Sequence, residues 1–158
     1  GETPPSIGAA VDTMSVCLSK GLGAPVGSVL LSTHDNIRKA KRVRKALGGA
    51  MRQAGYLAAA GIYSLENNIK RLGEDHSRAK TLGEALANCN YVTKVLPVET
   101  NIIVVELNPA IKVASYLEFL ATHGIRAIQF GKHSFRMVTH LHITDADVKE
   151  VCSVVAAF

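Results

Sequence analysis

The sequence has no tryptophan and few other aromatic residues, with four tyrosines and four phenylalanines among its 158 residues. None of these rings interleaves with the most basic stretch, residues 38–45, so no platform for stacking nucleic-acid bases accompanies that charge. The chain also lacks the roughly 18 to 20 consecutive apolar residues of a membrane span, and its N-terminus lacks the charged-then-apolar order of a signal peptide. We therefore expect an intracellular, cytoplasmic protein that binds neither a membrane nor nucleic acid.

Cysteine is also scarce. Cys17, Cys89 and Cys152 are odd in number, lie far apart and have apolar neighbours. This pattern is typical of buried, reduced thiols and argues against a disulfide framework or a zinc site. His140 and His142 form an H-x-H pattern that would place both on one face of a strand at the spacing of metal ligands. No third ligand is evident, and we predict no metal site.

The residues that are present indicate a globular chain with one strongly basic segment. Hydrophobic residues make up 47% of the sequence, and its length suffices for one domain with a core or for parts of two. A basic cluster of this kind can bind nucleic acid, although a solvated helix face or a site for a small anion is favoured. The net charge is +5, and much of it comes from Arg38, Lys39, Lys41, Arg42, Arg44 and Lys45.

The first part of the chain is predicted to surround a loop. Residues 2–11 contain two prolines and a glycine and are predicted to be irregular. Short strands over 13–19 and 26–32 flank a glycine-rich loop. A helix that carries the basic cluster follows the second strand and should end at Gly48-Gly49.

In the second part of the chain, the sequence pattern changes from helical to a mixture of strands and helices. Small residues after Met51 predict a helix packed between other elements, and this helix continues past Asn67-Asn68 to about Asn88. The later segments form a small α+β layer with an antiparallel or mixed sheet. Its predicted strands are 93–97, 101–107, 125–129 and 135–141, and its helices are 111–123 and 145–157.

One lysine occupies an unusual position. Lys20 follows an apolar, β-prone run that ends at Leu18, and it precedes a loop containing Gly21, Gly23 and Gly27. A lysine that is removed from bulk water is more easily deprotonated and can act as a nucleophile, for example by forming a Schiff base. The local pattern also fits a strand-end lysine beside an ordinary glycine turn.

Two further regions place cations where an anion could bind. Lys45 and Arg52 lie on either side of a predicted turn between two helices, whose free backbone N–H groups would suit an anion. A lysine that interacts with a helix C-terminus and an exposed arginine would produce the same pattern. Arg136 begins an otherwise apolar strand, and a buried arginine normally requires a carboxylate or phosphate partner.

The segment from Cys17 to Gly27, C-L-S-K-G-L-G-A-P-V-G, resembles the lysine segment of the low-specificity L-threonine aldolases, a family of fold type I pyridoxal-phosphate enzymes. The resemblance includes K-A-L-G-G-A-M-R-Q-A-G (45–55), E-T-N-I-I-V-V around Asn101 and F-R-M-V-T-H-L (135–141). It implies an α/β fold. The implied parts are the C-terminal portion of the large cofactor-binding domain (1–65), a connecting helix (66–90) and a small α+β C-terminal domain (91–158).

The resemblance also implies roles for individual residues. Lys20 would be the catalytic lysine that binds pyridoxal 5′-phosphate covalently. Lys45 and Arg52 would contact the cofactor and, for Lys45, the substrate, in part across a subunit boundary of a homodimer or homotetramer. Arg136 would hold the substrate α-carboxylate in a bidentate pair, whereas Asn101 would be a structural polar contact at the domain boundary.

The implied reaction is the retro-aldol cleavage of L-threonine or L-allo-threonine to glycine and acetaldehyde, in threonine catabolism and glycine biosynthesis. The resemblance covers the second half of an aldolase. We expect the missing first half to supply the carboxylate for the pyridine nitrogen, a ring-stacking histidine, a phosphate-binding loop and the general base. Two alternatives stay open: another amino-acid lyase of the same cofactor class, such as a β-eliminating one, and a non-catalytic basic module or truncated product.

Overall fold

Residues 2–158 are described by a computed structural model. Contacts divide the chain into a first unit that extends to Lys70 and a second unit from Arg71 to Phe158. Among residues 2–158, no helix combines the length and the apolar composition that crossing a bilayer requires. The first unit contains α1 (Pro4–Ala9), β1 (Thr13–Cys17), β2 (Ser28–Ser32), α2 (His34–Ala46) and α3 (Gly55–Asn67). The second contains α4 (Leu72–Ala87), β3 (Val92–Val95), β4 (Ile102–Leu107), α5 (Val113–Thr122), β5 (Ile128–Gln129), β6 (Ser134–Val138) and α6 (Asp145–Ala156).

The first unit is organised around the predicted pair of strands. β1 and β2 are antiparallel, and their pairing closes at Cys17 opposite Ser28, so the intervening residues form the loop that carries Lys20. The basic helix α2 begins after Thr33, whose hydroxyl oxygen accepts a hydrogen bond from the Asn36 N–H at 3.4 Å. The strands and the basic helix that the sequence predicts are therefore confirmed.

Several predictions for this unit are wrong. Residues 2–11 are not irregular, because Thr3 and Ser6 form a reciprocal capping box that begins α1. The helix predicted from Met51 begins instead at Gly55, since Gln53 has a left-handed backbone with φ 52°.

The packing predicted for α3 is also wrong. This helix is mostly exposed, with Tyr56 exposed over 88% of its surface, and only Gly61 and Ser64 are buried. The helix also ends at Asn67 rather than running on into α4. The small residues of α3 make room for one loop, whereas we expected them to make room for two neighbouring elements.

The second unit contains the predicted α+β layer together with α4. Its four strands are antiparallel in the order β3-β4-β6-β5. Alternate side chains of β4 and β6 are buried, including Ile103, Val105 and Phe135, and they pack in one cluster with buried residues of α4, α5 and α6. Arg136 has the opposite orientation to Phe135 on β6, and its backbone lies between Val104 of β4 and Ile128 of β5.

A pair of buried tyrosines joins the helices of this unit. The Tyr91 hydroxyl donates to the Val155 backbone oxygen at 2.7 Å and lies 3.0 Å from the Tyr116 hydroxyl oxygen. Burial raises the pKa of Tyr116 to about 12, and burial also raises the pKa of Tyr91. The C-terminal residue, Phe158, packs edge-on against both rings.

We expect alkaline pH to destabilise this unit through the two tyrosines. An unfolded phenol ionises near pH 10, whereas these phenols remain neutral above it in the folded chain. The free energy of unfolding should therefore be unaffected below about pH 10 and fall above it by roughly 1.4 kcal/mol per pH unit for each tyrosine. Tyr91→Phe should remove one tyrosine's share of that slope and cost about 1–3 kcal/mol at neutral pH, because the Val155 carbonyl loses its donor.

Urea unfolding of the wild-type chain and of Tyr91→Phe, measured at a series of pH values, checks both parts of this expectation. Tyr56→Phe is the matched control, because Tyr56 is exposed on α3 and its hydroxyl makes no hydrogen bond within residues 2–158. If the free energy of unfolding fell with pH at the same slope in wild type and in Tyr91→Phe, Tyr91 would not contribute to the loss of stability.

Candidate active site

The loop that carries Lys20 is held by its own backbone. The Leu18 N–H donates to the Gly27 oxygen at 2.9 Å, the Ala24 N–H donates to the Leu18 oxygen at 3.0 Å, and the Gly23 N–H donates to the Lys20 oxygen at 2.8 Å. Gly23 and Gly27 have φ values of 73° and 117°, a region that favours glycine. These bonds fold the loop so that Leu18 and Ala24 are buried and Lys20 is exposed.

Helix α3 supports this loop at the residues two before and two after Lys20. A methyl group at Gly61 would lie 3.1 Å from Leu18 Cδ1, a tight contact that would make the leucine shift by a few tenths of an ångström. On the other side of Lys20, the Asn68 side-chain Nδ2 donates to the Leu22 backbone oxygen at 2.7 Å. The sequence analysis did not identify either Gly61 or Asn68 as a site residue.

The Lys20 side chain is exposed, and it forms no ion pair within residues 2–158. Residues 2–158 therefore do not bury the Lys20 side chain, although its apolar neighbours in the sequence suggested that it would be removed from bulk water. The amine is free to react with or bind a partner. Close by, the Ser19 hydroxyl lies 3.5 Å from Cys17 Sγ and lowers the pKa of that thiol, and the charge of Lys20 acts in the same direction.

Lys45 and Arg52 lie on opposite sides of the turn between α2 and α3, as predicted, and both are exposed. The predicted free N–H groups are not present at the two glycines. Gly48 N–H donates to the Lys45 oxygen at 3.1 Å, and Gly49 N–H donates to the Arg44 oxygen at 2.8 Å. These two glycines end α2 as a C-cap, with Gly48 at φ 83°.

Arg136 is half-buried on the central strand β6. Its guanidinium carbon lies 5.7 Å from the centre of the Phe130 ring, and its Nε is buried without a hydrogen-bond partner in residues 2–158. The carboxylate or phosphate partner that the sequence analysis expected is not supplied by the described chain, where Arg136 forms no ion pair. An unpaired buried donor of this kind fits an anionic ligand.

Thr139, three residues after Arg136, holds the end of strand β6 in place through several hydrogen bonds. The Thr139 N–H donates to the Asn101 oxygen at 3.0 Å, and Asn101 Nδ2 donates to the Thr139 oxygen at 2.8 Å, which confirms Asn101 as a structural polar contact. The Thr139 hydroxyl also donates to the backbone oxygen of Asp75 at 2.7 Å. Asp75 is fully buried and paired with Arg71. The sequence analysis did not single out Thr139, Asp75 or Arg71.

The two histidines do not lie on a strand, because β6 ends at Val138. His140 and His142 are exposed in the following turn, where the His142 N–H donates to His140 Nδ1 at 3.2 Å. Within residues 2–158, no group of three or more histidine, cysteine or acidic side chains could hold a metal ion. The cysteines are free thiols, as predicted, and all three are half-buried.

The fold is that of the fold type I pyridoxal-phosphate enzymes, as expected from the resemblance. A solved structure of this class, from Listeria monocytogenes and assigned as an L-allo-threonine aldolase, superimposes with a TM-score of 0.74 at 21% sequence identity. The superposition covers 99% of this chain and 47% of the Listeria chain. The family model for beta-eliminating lyases matches residues 1–110, and the chain belongs to the beta-eliminating lyase family.

Curated relatives are more similar in sequence. Low-specificity L-threonine aldolase 1 of Arabidopsis thaliana is 42% identical over 142 residues, which is 88% of this chain and 40% of the relative. Low specificity L-threonine aldolase of Escherichia coli K12 is 40% identical over 147 residues, 93% of this chain and 43% of the relative. The chain therefore spans about two fifths of the length of these relatives.

Proposed function

We propose that this chain is part of an enzyme that uses pyridoxal 5′-phosphate to cleave L-threonine or L-allo-threonine to glycine and acetaldehyde. The observation that carries the proposal is Lys20. It is an exposed lysine that has no ion partner among residues 2–158, and it lies on a loop held by internal hydrogen bonds, in a chain similar to threonine aldolases. A covalent cofactor needs such a lysine, because the amine must be both reachable and held in place.

The residues present fit the cofactor. Lys20 would hold it covalently, and the exposed cations Lys45 and Arg52 would bind its phosphate or another anionic group near it. The bound cofactor supplies an electron sink for cleavage of a bond at the substrate Cα. The protein contributes the position of the amine and positive charge around the anionic groups.

Arg136 would bind the substrate carboxylate. Its half-buried guanidinium has an unpaired Nε donor, and arginine can hold a carboxylate through two parallel hydrogen bonds. Holding the carboxylate at a fixed point restricts the rotation of the substrate and thereby selects which bond at Cα breaks. Lys45 is a second candidate for substrate contact.

A homodimer or homotetramer is part of the proposal. Large apolar side chains are exposed next to Lys45 and Arg52, including Leu47 at 82% and Met51 at 65% exposure. A second copy of the chain that covered these residues would bury apolar area and bring Lys45 and Arg52 close to a neighbouring subunit. A reducing, cytoplasmic location, with a place in threonine catabolism and glycine biosynthesis, completes the proposal and agrees with the three free thiols.

Product analysis tests the reaction. We expect the full-length protein, supplied with pyridoxal 5′-phosphate and L-threonine, to release acetaldehyde and glycine in equal amounts. L-serine offered under the same conditions should yield no pyruvate or ammonia. Release of pyruvate and ammonia, with no acetaldehyde from threonine, would replace the aldolase proposal with a β-eliminating lyase, the activity after which the family is described.

The basic helix α2 provides the second candidate, a non-catalytic module that binds polyanions, because its exposed face carries six cations and one nearby acid, Asp35. Binding of duplex DNA, measured at several salt concentrations, tests it. Affinity that falls steeply with salt, in a protein that releases no acetaldehyde, would favour this module over the enzyme.

A further inference from the structure

Within residues 2–158, one side chain from outside the hairpin forms a hydrogen bond with the loop that carries Lys20. The carboxamide of Asn68, at the end of α3, donates to the Leu22 backbone oxygen at 2.7 Å across 46 residues of sequence. Within residues 2–158, no other side chain beyond β1, β2 and the loop itself forms a hydrogen bond with residues 18–27. We propose that Asn68 is a positioning residue for Lys20. The catalytic part of this inference rests on the function proposed above.

The loop requires an external tether because it is rich in glycine. Gly21, Gly23 and Gly27 give its backbone more freedom than other residues would, and each ordered position costs conformational entropy. The internal hydrogen bonds define the turn from Lys20 to Gly23 but do not attach it to the rest of the unit. Leu18 packs against Gly61, and the side chains of Leu22 and Ala24 are buried. The hydrogen bond from Asn68 fixes the backbone of Leu22 in addition to this packing.

Asn68 is itself well anchored. Its backbone N–H donates to the Ser64 oxygen at 2.9 Å, and its side chain is half-buried. Ser64 is buried, with its hydroxyl donating to the Ala60 oxygen at 2.9 Å. The Asn68 donor is therefore fixed relative to α3, and the hydrogen bond transfers that rigidity to the peptide two residues after Lys20. The side chain at position 68 must offer a hydrogen-bond donor, because the group that it contacts is an acceptor.

The chain offers a matched control in the preceding residue. Asn67 Nδ2 also donates to a backbone oxygen, that of Tyr63 at 2.8 Å, but this bond lies within α3 and does not reach the loop. Asn67→Ala and Asn68→Ala therefore remove the same group and the same kind of hydrogen bond. Asn68→Asp keeps the shape of the side chain and replaces the donor with a carboxylate that faces the Leu22 oxygen.

Hydrogen exchange of the full-length protein, with and without pyridoxal 5′-phosphate, measures the tether independently of activity. We expect Asn68→Ala to accelerate exchange of the Gly23 and Ala24 amides about five- to tenfold, the equivalent of one hydrogen bond, with Asn68→Asp at least as fast. Asn67→Ala should leave these amides unchanged. Equal rates in the Asn67 and Asn68 variants, or acceleration throughout the first unit, would overturn the inference.

Kinetics test the catalytic consequence. A less well-positioned lysine should lower kcat for threonine about tenfold or more in Asn68→Ala, with KM changed less than about twofold, because Asn68 does not contact the substrate in this proposal. Full activity of Asn68→Ala beside an inactive Lys20→Ala would overturn the positioning role alone. Activity retained by Lys20→Ala would overturn the proposed function, while the exchange rates would still decide whether Asn68 holds the loop.

Discussion

Lys20→Ala in the full-length protein is expected to lower the rate of acetaldehyde release from threonine by at least about a thousandfold, because no other group can replace the covalent amine. The change removes only the side chain beyond Cβ, and Lys20 is exposed with no ion pair in residues 2–158, so folding should be unaffected. The same variant should lose the visible absorbance of covalently held pyridoxal 5′-phosphate after dialysis. The reaction rate and the absorbance are therefore two independent measurements of the role of Lys20.

Lys80→Ala is the matched control for this variant. Lys80 is an exposed lysine on α4 that likewise forms no ion pair among residues 2–158, so its loss removes the same charge without touching the loop. Lys80→Ala should keep wild-type activity and absorbance. A Lys20→Ala protein that still cleaved threonine, or that kept the covalent absorbance, would remove Lys20 from the proposed role.

Arg136→Lys is expected to raise KM for threonine about a hundredfold, with a smaller change in kcat. Lysine keeps the positive charge, but a single ammonium cannot reproduce two parallel hydrogen bonds to a carboxylate. Hydrogen bonds to charged groups contribute roughly 1.5–3 kcal/mol each, which corresponds to the expected loss of affinity. Steady-state kinetics with a range of threonine concentrations measure the effect.

Arg126→Lys provides the comparison, since Arg126 belongs to the same unit, is exposed and forms no ion pair in the described chain. It should leave KM unchanged. A normal KM in Arg136→Lys would exclude Arg136 from the substrate site, and its unpaired Nε would then need another partner. Circular dichroism of both variants checks that β6, which lies between β4 and β5, is intact.

Local patterns predicted most of the elements because they depend on short-range chemistry. Alternating or continuous apolar residues bounded by glycines indicated β1 and β2, and the threonines at positions 33 and 144 mark the starts of α2 and α6. The same reasoning gave wrong predictions where a polar contact or a single backbone angle determines where a helix begins. The Thr3 capping box begins a helix in a segment with two prolines, and the left-handed Gln53 delays the start of α3.

The identities of the cationic residues were also readable in the sequence. Lys20 and Arg136 were noticed because a charge beside glycines or at the start of an apolar strand needs an explanation, whereas Lys45 and Arg52 were selected by the family resemblance. The sequence did not show which groups surround these residues in the folded chain. The N–H groups of Gly48 and Gly49 are used to end α2, a detail that depends on backbone angles.

The sequence by itself therefore indicated which residues are candidates for chemical function, where the strands around Lys20 lie and which family the chain resembles. Only the tertiary structure decided how those residues are held. Asn68 meets Leu22 across 46 positions, and Thr139 meets Asp75 across 64. Such hydrogen bonds leave no periodic signal in a sequence, because they depend on where two distant backbone segments come together after the apolar core has formed.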